Sequence, residues 1–152
     1  MPVMFRSTEE FKGAVGRSFG PTEWLVVEQS RIDQFADATG DHQWIHVDQA
    51  RAKQSPFQTT IAHGFLTLSL ISMMLRSAIN PTGLRMAINY GLNRVRFVAP
   101  VPSGARIRGR FTLAGVEEAG GAIQATWSAT IERDGGDKPV CVAEWLVRYY
   151  PA

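Results

Sequence analysis

The segment His63-Gly64-Phe65-Leu66-Thr67-Leu68-Ser69-Leu70-Ile71-Ser72-Met73-Met74-Leu75-Arg76-Ser77-Ala78 decides the fold. At helical spacing Phe65, Leu66, Leu68, Leu70, Ile71, Met73, Met74, Leu75 and Ala78 cover the helix nearly all round, and a helix apolar on every face has to be enclosed. It is too short to cross a bilayer, which takes about 20 apolar residues, and Ser69, Ser72 and Arg76 interrupt it. The enclosure follows in the sequence, where the apolar period changes to two from Arg85 onward. Ile123, Ala125, Trp127, Ala129 and Ile131 alternate with Gln124, Thr126, Ser128, Thr130 and Glu132, the clearest half-buried strand. Ile107, Phe111 and Leu113 alternate with Arg106, Arg108, Arg110 and Thr112, and Pro139 to Tyr150 returns after the turn Asp134-Gly135-Gly136-Asp137. Met86, Ile88, Tyr90 and Leu92 alternate, but Val95, Phe97 and Ala99 resume one residue out of phase, which predicts a bulge near Asn93. The expected fold class is α+β: one domain over residues 1–152, a long central helix wrapped by an antiparallel meander.

Upstream of the central helix the pattern is helical and short. Ser7 with Glu10 predicts a capping box ahead of Phe11, Ala14 and Val15, so residues 1–20 are expected to form an N-terminal helical extension. Trp24 to Val27 reads as a strand. Ser30 with Asp33 predicts a second helix start, with Ile32, Phe35, Ala36 and Thr39 on one face until Gly40 ends it. Asp48 is expected to cap a helix through Gln54, closed by Ser55-Pro56 because the residue before proline avoids helical geometry.

The chemistry concentrates in Ala38-Thr39-Gly40-Asp41-His42-Gln43-Trp44-Ile45-His46. On a regular helix Asp41 and His46 would point about 140° apart. Gly40 suits the left-handed position that ends a helix, and a loop curling back from it can aim both side chains at one point. A carboxylate and an imidazole converging on one spot is what proton transfer needs. His42 and His46 also have the spacing of a helical metal pair, with Asp48 as a third ligand. Gly40 argues against a helix there, and no Glu stands at the second position as in the metalloprotease pattern, so no metal is expected. Phosphate-loop and dinucleotide glycine patterns are absent, and no cofactor is expected.

Composition bounds the rest. The chain has 152 residues, 45% hydrophobic and 20% charged, enough for a real core and too apolar for wholesale disorder. A net charge of +2 argues against a nucleic-acid partner, although a pI near 9.0 leaves room for a local basic patch. The single cysteine, Cys141, excludes an internal disulfide and reads as a small buried strand residue. Met1 to Phe11 lacks the apolar run of a signal peptide, and Glu9 and Glu10 argue against a transit peptide. The expected location is cytoplasmic, with no membrane partner.

Gly40-Asp41, His46, Ala52 and Ile61-Ala62-His63-Gly64-Phe65 together resemble the hydratase motif of the MaoC-like dehydratases, the (R)-specific enoyl-CoA hydratases of the hot-dog fold. The resemblance spans roughly residues 20–150, with residues 64–79 as the wrapped helix. The family motif reads Asp-x-Asn-Pro-aliphatic-His, and Gln43-Trp44 replaces its Asn-Pro here. It implies reversible hydration of a trans-2-enoyl thioester, carried by coenzyme A or an acyl carrier protein. Asp41 is then the base that activates water, and His46 binds the same water and delivers the proton, or the two exchange roles. The Gly64 N–H at the helix start becomes the oxyanion donor. Ser72 either supports the aspartate or bonds locally within its helix. His63 is expected to fix the loop or cap the helix. Trp44, Phe57, Phe65 and Leu66 shape the acyl tunnel. Arg94 and Arg96 either meet coenzyme A phosphates or are ordinary surface arginines. Arg106, Arg108 and Arg110 read as a solvated or edge-protecting stripe. The resemblance also implies a homodimer with the two sheets joined edge to edge. The same fold hosts thioesterases, and a non-catalytic acyl-thioester-binding subunit is a third reading, for which the Gln43-Trp44 departure speaks.

Overall fold

The structure, a computed structural model, describes residues Met1 to Ala152. The chain opens with strand β1 (Val3–Met4), helix α1 (Thr8–Gly13) and strands β2 (Ser18–Phe19) and β3 (Leu25–Val26). Helices α2 (Gln29–Thr39), α3 (Trp44–Val47) and α4 (Gln49–Ala52) follow, then α5 (Gly64–Ser69) and α6 (Ile71–Ala78). The remainder is strand: β4 (Ile79–Asn80), β5 (Leu84–Arg96), β6 (Arg106–Ala119), β7 (Ala122–Arg133) and β8 (Pro139–Pro151).

The long strands form an antiparallel sheet in the order β6-β7-β8-β5, extended beyond β6 by β2 and β3. The period-two residues do what alternation requires. Ile123, Ala125, Trp127, Ala129 and Ile131 of β7 are all buried, and they meet Leu66, Leu70, Ile71, Met74 and Leu75 from α5 and α6 in one core cluster. Cys141 sits in the same core, fully buried on β8. The register of β5 on β8 slips between Leu92 and Arg94, at the expected bulge, and also near Leu84 and Asn89.

Three local readings are corrected. The central helix is two helices meeting at Leu70, and it is not enclosed all round: Phe65 is 68% exposed and Met73 is also exposed. Helix α2 starts after Glu28, without a side-chain cap, rather than at Ser30. In residues 1–20 only Thr8–Gly13 is helical; β1 pairs with β4, β2 pairs with β6, and Phe5, Phe11 and Phe19 enter the core. The cap itself is as read, since the Ser7 hydroxyl accepts from the Glu10 N–H. The arginine stripe on β6 is charge-paired: Arg106 with Asp134, and Arg108 and Arg110 with Glu132, with Arg108 also over the Trp24 ring at 4.1 Å. No helix is long and apolar enough to cross a membrane.

Candidate active site

Gly40 ends α2 with φ 79°, and its N–H bonds the Ala36 carbonyl at 2.8 Å. That left-handed residue turns the chain so that Asp41 begins a loop instead of another helical turn. One Asp41 carboxylate oxygen accepts from the Gln43 N–H at 3.3 Å, a turn that leads directly into α3. Trp44 opens α3, where the family motif has proline, and packs under the Arg51 guanidinium at 4.3 Å. The loop is thus held by a side-chain turn and a cation–π contact in place of a rigid ring.

His46 is buried, 6% exposed, and its position is over-determined. Its Nδ1–H donates to the Ile61 carbonyl at 2.7 Å. A carbonyl only accepts, so the proton of the neutral ring is on Nδ1 and Nε2 keeps a free lone pair. The Ile61 carbonyl is itself fixed, because the Ile61 N–H bonds Ile45 O at 3.0 Å and the Ala62 N–H bonds Val101 O at 2.8 Å. Gln29 adds a third restraint that the sequence did not signal. Its Nε2 donates to the His46 carbonyl and to Asp33, both at 2.8 Å, while its Oε1 accepts from Thr60 at 2.5 Å. Burial lowers the His46 pKa; the Ile61 carbonyl and Asp41 charge push it up and His63 pushes it down.

His63 lies flat on His46, with ring centroids 3.8 Å apart and planes at 21°, and it meets Phe35 edge-on. Its Nε2–H donates to the Asp41 backbone carbonyl at 2.9 Å. His63 therefore fixes the loop and makes no side-chain cap to α5. Donor atoms of Asp41, His46 and His63 all fall within 4.8 Å of one another. Two stacked, nearly parallel rings keep their in-plane lone pairs in separate planes, whereas a metal must lie about 2.0–2.1 Å from each nitrogen in both planes, so this set fits no metal. A water bridging carboxylate and imidazole fits the spacing well, because two hydrogen bonds of about 2.8 Å span it. The His42/His46/Asp48 grouping is not formed: His42 bonds Asp37 at 2.9 Å and Asp48 caps α4.

A cavity of about 300 Å³ opens beside His46. Ile61, Gly64, Thr67, Phe97, Val101 and Val140 help to line it, so that the imidazole borders a largely apolar cavity. Gly64 is the first residue of α5, so its N–H has no intrahelical acceptor. A methyl at Gly64 would meet the Phe97 ring at 2.9 Å, so this glycine makes the close approach possible. Phe65 meets Phe97 edge-on at 6.0 Å near the same cavity, and Trp44 is not among its lining residues. Ser72 is elsewhere, in a groove between α6 and β5 with Asn89 and Trp145. Arg94 borders a surface groove with Ser128, Thr130 and Glu144, and Arg96 is exposed and donates to the Val95 carbonyl. Within one chain, then, the site unites Asp41, His46, His63 and Gly64 and leaves Ser72, Arg94 and Arg96 apart.

A helix wrapped by an antiparallel sheet, with an Asp/His loop at its N-terminal end, defines a hot-dog protein of the hydratase type. The chain belongs to the MaoC-like dehydratases: the model of the MaoC like domain matches residues 10–134. It is 51% identical over 146 residues, 95% of this chain and 97% of the relative, to "3-hydroxyacyl-thioester dehydratase Z" of Mycobacterium tuberculosis. It is 45% identical over 143 residues, 92% of this chain and 89% of the relative, to "Nodulation protein N" of Rhizobium leguminosarum bv. viciae. Among solved structures, the (R)-hydratase from A. caviae involved in PHA biosynthesis superposes with TM-score 0.72 at 25% identity, covering 90% of this chain and 96% of that one.

Proposed function

We propose that this chain catalyses reversible hydration of a trans-2-enoyl thioester to the (R)-3-hydroxyacyl thioester, with Asp41 and His46 as the catalytic pair. The observation that carries the reading is the pinned tautomer of His46, which leaves Nε2 free on a ring that borders a largely apolar cavity and has a nitrogen within 4.8 Å of an Asp41 carboxylate oxygen. Membership of the dehydratase family and the relative's name support the substrate class. A water between the two acceptors donates one O–H to each. As its oxygen bonds the β-carbon, one acceptor takes the proton and the pair returns a proton to the α-carbon. The Gly64 N–H is the donor for the enolate oxygen that develops meanwhile, a role whose loss costs on the order of 10²–10³ in rate. Phe65 guards the acyl entrance, and Trp44 acts by setting the loop's shape. Arg94 and Arg96 serve the phosphates of a coenzyme A carrier.

A homodimer is part of this proposal. β5 bonds only β8, which leaves a long open edge, and Met86, Ile88, Leu92 and the 55% exposed Tyr90 lie along it. Open apolar edges are normally covered, and a second copy joined along β5 would cover this one. Ser72 borders the groove beside that strand, so any support it gives the aspartate would come across the dimer. Sedimentation of Tyr90→Glu, expected to be monomeric, tests the pairing.

The test of the reaction is crotonyl-CoA with both the enoyl absorbance and free thiol followed. Loss of absorbance without thiol release is expected, abolished in Asp41→Asn and His46→Gln. Thiol release would make the chain a thioesterase; an inert wild type, or full activity in either variant, would overturn the reading. Chiral analysis of the product tests the (R) hand.

A further inference from the structure

His63 Nδ1 is the one buried side-chain nitrogen or oxygen in the chain without a hydrogen-bond partner. The residue is only 3% exposed, and its other nitrogen donates to the Asp41 carbonyl, so Nδ1 carries a bare lone pair in the interior. Buried polar groups are ordinarily satisfied, and an exception at a reactive centre needs a reason. The reason lies in the ring it covers. His46 and His63 share faces at 3.8 Å, and each is fixed by a carbonyl in one tautomer, Nδ1–H for His46 and Nε2–H for His63. A proton added to either ring would set a positive charge against the face of the other, with no acceptor for the new N–H of His63.

We propose that His63 is a positioning residue for His46: it clamps the Asp41 carbonyl and covers the His46 ring, so that His46 enters each turnover as a neutral imidazole with Nε2 open to water. The proposal rests on the catalytic reading of Asp41 and His46. The charged and titratable groups facing His46 are few. Asp41 comes from the loop after α2, and His63 from the segment before α5. The cavity walls, Phe57, Thr67, Phe97, Val101 and Val140, carry no charge. Asp37 and His42 are bonded to each other, and Asp48 and Arg51 to α4 and Trp44. Burial does most to keep His46 neutral, and His63 adds to it against the pull of the Asp41 charge, so removing His63 weakens that opposition. Destabilising the imidazolium also makes it a stronger acid toward the α-carbon, so any proton His46 takes from water is handed on.

The test is ¹⁵N NMR of histidine-labelled protein, which needs no turnover. At neutral pH the wild type is expected to show His46 as the Nδ1–H tautomer and His63 as the Nε2–H tautomer. The reverse tautomer on His46 would overturn the proposal. In His63→Gln, which keeps an N–H near the Asp41 carbonyl but loses the ring, the His46 titration should move up by about half a pH unit or more. The acid limb of kcat/KM should move with it. His63→Phe keeps the stacked volume without either nitrogen and should show the same upward shift, so a variant that fails to fold does not block the test. A His46 titration unmoved in the folded variant would reduce His63 to a packing residue. Should the tautomers and shift appear in a protein that hydrates nothing, the clamp stands and the reaction proposed above falls.

Discussion

Gly64→Ala adds one methyl at the most crowded point of the cavity. The new Cβ would lie 2.9 Å from Cγ and Cδ2 of Phe97 and 3.1 Å from Cδ1. Carbon atoms rest at about 3.5–4.0 Å, so the ring must retreat by roughly 0.7 Å. Phe97 is 43% exposed and can yield, so the stability cost should fall below the ~1–3 kcal/mol typical of overpacking a closed core. Activity should suffer more. Phe97 lines the cavity beside His46, and misplacement on the order of 1 Å costs about 10²-fold in rate. The expected result is a fall in kcat/KM of about 10- to 100-fold, or ~1.4–2.7 kcal/mol of transition-state stabilisation, with Tm lowered by only a few degrees. Steady-state hydration of crotonyl-CoA and thermal unfolding measure the two effects. Because alanine keeps the backbone N–H, Gly64→Ala combined with Phe97→Ala should recover to the level of Phe97→Ala alone. Wild-type kcat/KM in Gly64→Ala, or a double variant as slow as Gly64→Ala, would refute the reasoning.

Other outcomes follow from the same geometry. Gln29→Leu removes bonds to Asp33, the His46 carbonyl and the buried Thr60, and should cost about 1–3 kcal/mol in urea unfolding while lowering kcat. Because burial holds folded His46 below its ordinary value of 6.5, the unfolded chain binds protons first as the pH falls. The stability it supports is therefore present above about pH 6.5 and is lost below it, down through the folded pKa; urea midpoints across that range should fall less in His46→Gln. Burial also pushes the Cys141 thiol up to about 11. Native protein should accordingly leave a thiol reagent unreacted at mildly alkaline pH and react once denatured.

Much of the site was legible because its signals are local. Gly40 with Asp41, and Asp48 ahead of α4, are backbone devices written within four residues, and both take the form their residue types dictate. The slip of apolar phase around Asn93 likewise announced the bulge on β5. What stayed hidden was long-range. Gln29 reaches His46 and Thr60 across 17 and 31 residues, and Phe97 reaches Gly64 from the segment just after β5. No periodicity links such positions. The split at Leu70 and the exposure of Phe65 were missed for a related reason, since apolar content cannot say which faces of a helix are covered.

The sequence by itself determined the strand alternation, the turns and the nomination of Asp41 and His46 as candidate proton-handling groups, because these depend on residue type and spacing. Only the tertiary structure decided the state of those groups. The Ile61 carbonyl, held between Ile45 and Val101, sets the tautomer of His46, and the His63 ring is stacked on its face. Those constraints act across folded distance, where hydrogen-bond direction and burial, not sequence spacing, fix which lone pair is free.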